Sequence, residues 1–83
     1  MELLLIFFIE TYVNLYIFME KITEREKIIL KLIALGLDNK EIGENMAISS
    51  HTVKAHISSI INKLNAKNRT NVVYIALKNK LIK

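Results

Sequence analysis

The stretch Lys40 to Leu64, KEIGENMAISSHTVKAHISSIINKL, constrains this 83-residue chain more than any other. It reads as a short helix, a tight turn and a longer helix. Asp38 is placed to cap the first, with Glu41 three residues on, so that each side chain satisfies a free backbone N–H of the first turn. Ile42 and Met46 then share a face. In the turn Ala47-Ile48-Ser49, Ile48 points inward and Ser49 can cap the second helix. Successive residues of that helix step about 100° round its axis, which gathers Val53, Ile57, Ile60, Ile61 and Leu64 into one apolar stripe facing a core. The opposite face carries His51, Ala55, Ser58, Ser59 and Asn62, flanked by Lys54 and His56.

That second face is small, polar and positive, with no carboxylate anywhere from Ala47 to Lys83. It fits the B-DNA major groove, about 12 Å wide, with the N-terminal residues nearest the base edges. Taken alone, the pattern supports a helix-turn-helix of some kind, and a merely solvated polar face explains it equally well.

The wider run is more specific. T-x-R-E at Thr23 to Glu26, G-L-x-N-K-E-I at Gly36 to Ile42, I-S-x-x-T-V-K-x-H at Ile48 to His56, and I-x-x-K-L then R-T at Ile60 to Thr70 recur in order. Ile22 to Ile82 thereby resembles the DNA-binding domain of LuxR-type regulators, the effector domain of NarL/FixJ-like response regulators. The resemblance implies an all-α fold, a compact four-helix domain over residues 20–83 preceded by a hydrophobic N-terminal segment, residues 1–19. It implies sequence-specific duplex binding in transcription regulation, with Ser50 to Leu64 as the recognition helix.

Residue roles follow from the same resemblance. Lys54, Ala55 and Ser58 occupy the positions that reach base edges. Lys54 suits guanine O6/N7, Ala55 a thymine methyl, and Ser58 confers little selectivity. Thr52, His56, Lys63, Lys67 and Arg69 are expected to contact phosphates or to brace the reading helix. For Thr52 the plainer role is capping; for Lys63 and Lys67 it is solvation; for His56 it is packing at the edge of the apolar stripe. Tyr74 and Leu77, with Leu81 beyond, form an apolar stripe that the core does not need, where the family's dimer surface falls. The expected partners are double-stranded DNA, a second copy of the chain on that DNA, and RNA polymerase.

The rest of the chain bounds these expectations. Its length allows one small core, burying about 60% of the unfolded surface. Lysine and arginine exceed aspartate and glutamate by 4, with the excess in the C-terminal half, which suits a polyanion. The absence of cysteine excludes a disulfide framework and a thiolate metal site and fits a cytoplasmic setting at the nucleoid. Heavy use of Ile, Asn and Lys is that of AT-rich coding, so an organelle genome is an alternative source. His51 and His56 lie five apart, off the i, i+4 spacing of a helical metal pair. No cofactor is expected, and an enzyme reading finds neither a glycine-rich phosphate loop nor a nucleophile with its base.

Met1 to Met19 is the one compositional break. A signal peptide lacks its basic n-region here. A transmembrane helix is marginal, because Glu10 costs about 2.5–3.5 kcal/mol against about 0.3–0.6 gained per Leu, Ile, Phe or Val. A remnant of a lost upstream domain, or an element packing on the domain or on a second copy, is a third reading. The fourth is that translation starts at Met19. No receiver domain fits in so few residues. The competing function is a protein-interaction or membrane-tethered module that keeps the fold.

Three local expectations complete the reading. Thr23 and Glu26 form a second capping box opening a helix to about Leu35, ended by Gly36, whose charged first turn, Glu24 to Lys27, is read as solvated. Its apolar run is too continuous to choose one buried face, and the N-terminal segment is a candidate to cover the other. After Asn65 as a left-handed stop, Thr70 is expected to cap a last helix reaching about Asn79. Gly43 replaces the family's usual alanine at a cost of about 1 kcal/mol, and Lys80 stands where a glycine is common.

Overall fold

A computed structural model describes residues 2–82, with side chains outside 14–20. Its helices are α1 (Glu2–Lys21), α2 (Glu24–Ala34), α3 (Asn39–Met46), α4 (Ser50–Lys63) and α5 (Arg69–Lys78). The described residues contain no strand, so the architecture is all-α, with α2 to α5 as the compact four-helix unit.

Local chemistry sets the helix starts. Glu26 N–H donates to Thr23 Oγ1 at 3.1 Å while Thr23 N–H donates to Glu26 Oε1 at 2.9 Å. Asp38 and Glu41 form the same reciprocal pair at 2.8 and 3.1 Å, and Ser49 Oγ accepts from Thr52 N–H at 3.0 Å. The last helix begins earlier than the Thr70 cap predicts. Asn68 is its N-cap, accepting from Asn71 N–H at 2.8 Å, and Asn71 Oδ1 accepts from Lys67 N–H at 2.9 Å. Asn68 and Asn71 thus satisfy one backbone N–H each, a reciprocal arrangement that places the cap two residues before Thr70.

The stops share one geometry. Gly36, Ala47, Asn65 and Lys80 all take positive φ. Beyond each, an N–H reaches back to the carbonyl five residues earlier: Leu37 to Leu32, Ile48 to Gly43, Ala66 to Ile61 and Leu81 to Ala76, at 2.8–3.1 Å. These are Schellman closures, which satisfy carbonyls the helix leaves free. Glycine does this at one of the four stops; Ala47 and Lys80 adopt the same conformation against steric cost.

The core gathers Ile29, Leu30 and Ile33 of α2, Ile42 of α3, Val53, Ile57 and Ile60 of α4, and Val72 and Ala76 of α5. Ile22, Leu64, Leu81 and Ile82 close its ends. Each large side chain buried here contributes about 1.5–3 kcal/mol. α4 packs on α2, α3 and α5, and α2 likewise packs on α3, α4 and α5, so these two helices form the centre of the unit. α2 does select one buried face: Ile28 and Leu35 are left exposed.

Two expectations are corrected. Leu81 belongs to the core and not to a surface stripe, because left-handed Lys80 turns the chain back and carries Leu81 and Ile82 under α5. Glu26 is not solvated; it is 3% exposed.

α1 stands apart. Leu3 to Ile9, Tyr12 and Val13 are all exposed, between 45 and 82%, so among the described residues it does not cover the domain. The molecule is correspondingly elongated, 52 × 20 × 18 Å. Among the described residues, no helix is long and apolar enough to cross a membrane. The side chains of Asn14 and Met19, which bear on the anchor and alternative-start readings, lie outside the described residues.

Candidate nucleic-acid interface

α4 presents two ridges with different fates. Val53, Ile57 and Ile60 are sunk in the core, and this fixes the opposite side outward. His51, Thr52, Lys54, Ala55, Ser58 and Asn62 are exposed there, and His56 is half-buried at the stripe edge. The expected base-reading residues Lys54, Ala55 and Ser58 thus lie together on the free N-terminal and middle turns. Thr52 also serves the cap, its Oγ1 lying 2.9 Å from Ser49 Oγ.

The turn that aims this helix is tight. A Cβ at Gly43 would fall 2.6 Å from Ile48 O and 3.3 Å from Ser50 N. The residue is therefore a condition of the close approach of α3 to the start of α4, and the cost anticipated for it in helix propensity is offset by that packing.

The expected cations divide. Lys54 and Lys67 are exposed. Lys63 Nζ instead lies 2.7 Å from Glu26 Oε1, an ion pair with the carboxylate 4% and the lysine 29% exposed. Ser59, assigned from the sequence to the outer face, is half-buried and donates to Glu26 Oε2 at 3.3 Å. Burial pushes the Glu26 carboxyl up, but the hydrogen bond from Lys63, the Thr23 N–H and the lysine charge together hold it below its ordinary value of 4.5.

Arg69 also braces. Its guanidinium donates to Leu37 O at 2.7 Å and to Asn39 Oδ1, tying the start of α5 to the loop before α3. A shallow cleft lined by Gly36, Asp38, Lys40, Ser50 and Arg69 lies beside this bridge.

The apolar surface expected for self-association is reduced to Tyr74 and Leu77, 61 and 50% exposed. Lys78 Nζ sits 5.8 Å from the Tyr74 ring centroid, a cation–π contact. Leu77 also lines a cavity with Ala34 of α2 and Leu35, the C-cap of that helix.

Sequence reasoning missed Glu26 as the partner of α4. Its signal was present: Glu26, Ile29, Leu30 and Ile33 follow the 3.6-residue period, which puts the carboxylate on the buried stripe.

A three-sided core holding α4 by one face, with α3 and a tight turn before it, defines a helix-turn-helix domain. The chain belongs to the luxR family of bacterial regulatory proteins, whose family model matches residues 20–76. It is 48% identical over 63 residues to the transcriptional regulatory protein LiaR of Bacillus subtilis, covering 76% of this chain and 30% of that protein. It is 46% identical over 63 residues to the response regulator protein VraR of Staphylococcus aureus, with the same coverage, 76% and 30%. YdfI of Bacillus subtilis, also a transcriptional regulatory protein, matches at 47% over 57 residues, 69% of this chain and 27% of that protein. The chain thus spans about 30% of the length of these curated relatives.

Proposed function

We propose that residues 20–83 read duplex DNA in transcription regulation, with the N-terminal half of α4 in the major groove. The observation that carries this reading is the exposed, carboxylate-free face of a helix whose other side is locked into the core. Lys54 addresses guanine, Ala55 a thymine methyl and Ser58 a tolerant position, as the major-groove pattern permits. Lys67, Thr52 and His56 face the backbone, where phosphate neutralisation supplies most of the affinity. Family membership and the names of the relatives, a transcriptional regulatory protein and a response regulator, support the same reading.

Two copies bind together through Tyr74 and Leu77 of α5, each reading one half-site. A closed two-fold pair of this kind is matched by a two-fold DNA sequence.

Selection of the full chain on a random duplex pool tests both statements. Enrichment of a two-fold site supports specific dimeric recognition, and enrichment of a single half-site supports recognition without the pairing. A bound pool with no sequence preference overturns the base-reading role and leaves the helix-turn-helix as a scaffold for protein contacts.

A further inference from the structure

The Glu26 carboxylate holds two points of α4 at once. Its Oε1 accepts from Lys63 at 2.7 Å and its Oε2 from Ser59 at 3.3 Å, while Oε1 also accepts the Thr23 N–H at 2.9 Å. Ser59 and Lys63 are one helical turn apart, so they lie on one ridge of α4. Core packing of Val53, Ile57 and Ile60 holds α4 along one stripe, and a single polar contact beside it would add little resistance to a small roll about that stripe. Two contacts a turn apart, taken by one rigid carboxylate, oppose rolling.

The same ridge continues backwards to Ala55, again four residues away. Each four-residue step advances about 40° round the axis, because four residues of about 100° exceed one full turn by that amount. The ridge therefore winds from the Glu26 grip to the exposed face, and burial follows it: Lys63 and Ser59 are half-buried, Ala55 exposed. A roll of α4 at Ser59 and Lys63 displaces Ala55 and Ser58 directly.

We propose that Glu26, acting through Ser59 and Lys63, is a positioning residue that sets the rotation of α4 for base reading. This rests on the DNA-reading role proposed above. The consequence separates Lys63 from Lys54 and Lys67: its charge is spent on Glu26 inside the protein, and it neutralises no phosphate.

The test compares the full-length protein with Lys63→Met, Lys63→Arg and Glu26→Gln, measuring binding to the selected duplex and to a random duplex across a salt series. Circular dichroism confirms that each is folded at the assay temperature. Lys63→Met is expected to cut the preference for the selected duplex about tenfold, the scale of one charge-assisted hydrogen bond, while its salt slope stays that of wild type. Lys63→Arg, which keeps a donor cation for Glu26, restores the preference. Glu26→Gln behaves as Lys63→Met does.

A phosphate contact gives the opposite signature: the salt slope falls by about 0.9 and both duplexes lose affinity alike. That result for Lys63→Met overturns the proposal. Unchanged preference in folded Lys63→Met and Glu26→Gln overturns it too. If the wild-type protein itself shows no preference, the underlying DNA-reading role has failed. The positioning role is then judged by amide exchange along α4, which speeds in the variants if the grip exists and is unchanged if it does not.

Discussion

Gly43 and Ile48 approach so closely that a Cβ on the first would lie 2.6 Å from the carbonyl oxygen of the second. The obstacle is backbone, and that backbone already serves the turn, since Ile48 N–H donates to Gly43 O at 2.9 Å. Helix propensity alone predicts a gain of about 1 kcal/mol for Gly43→Ala. The contact predicts a net loss, because the turn must open and carry α4 with it. Thermal unfolding checks this: the melting temperature falls for Gly43→Ala and falls further for Gly43→Val.

The Glu26 carboxyl has a folded-state pKa below its ordinary value. It therefore adds stability that is fully present above the ordinary value near 4.5 and is lost as pH falls through the lower folded value. Lys63→Met leaves this buried carboxylate short of its cation and is expected to cost about 1–3 kcal/mol at pH 7. Glu26→Gln removes the titration, so the stability difference from wild type narrows as the pH falls below the ordinary value of 4.5 and through the lower folded value. Denaturant unfolding at a series of pH values reads both effects.

Lys80 holds a left-handed conformation at φ 58°. A lysine there bears a steric penalty that glycine does not, of about 1–2 kcal/mol before glycine's greater unfolded-state freedom is subtracted. Lys80→Gly is expected to raise stability by up to about 1 kcal/mol, or roughly 4–8 °C in a domain this size. Lys80→Val, whose branched side chain tolerates positive φ poorly, lowers it.

Lys54 stands exposed on the outer face of α4 with no carboxylate on its own helix. Lys54→Ala is expected to weaken binding to the selected duplex by about 1–3 kcal/mol and to relax preference at one base pair. Equal losses on selected and random duplexes would reassign it to a phosphate.

Tyr74 and Leu77 leave 61 and 50% of their surfaces exposed on α5. Replacing both by alanine is expected to leave the fold intact, since neither fills the core, and to weaken pairing on a two-half-site duplex. Analytical ultracentrifugation of the complex gives the stoichiometry; two copies bound as tightly as before would remove α5 from the interface.

Much of this molecule was legible locally. The caps at Thr23, Asp38 and Ser49, the stops at Gly36 and Asn65, and the buried stripe of α4 are matters of a few neighbouring residues, and their chemistry is complete within one turn of helix. Asn68 took the place of Thr70 as cap by accepting the backbone N–H of Asn71, a local competition between two plausible residues.

What the sequence by itself determined is the four helices of the domain, the face of α4 that must be buried, and hence the polar face left over for a partner. Tertiary structure alone decided the pairing of residues distant in the chain. Glu26 with Lys63, and Arg69 with Leu37 and Asn39, are separated by 30 to 37 positions, and no periodicity within a helix encodes a partner on another. It also decided that Leu81 goes inside while Tyr74 stays out, because the turn at Lys80 redirects a chain whose apolar pattern fits either side. The physical reason is the range of the forces involved: capping and helical periodicity act within a few residues, whereas ion pairs and close packing depend on which surfaces the assembled helices bring together.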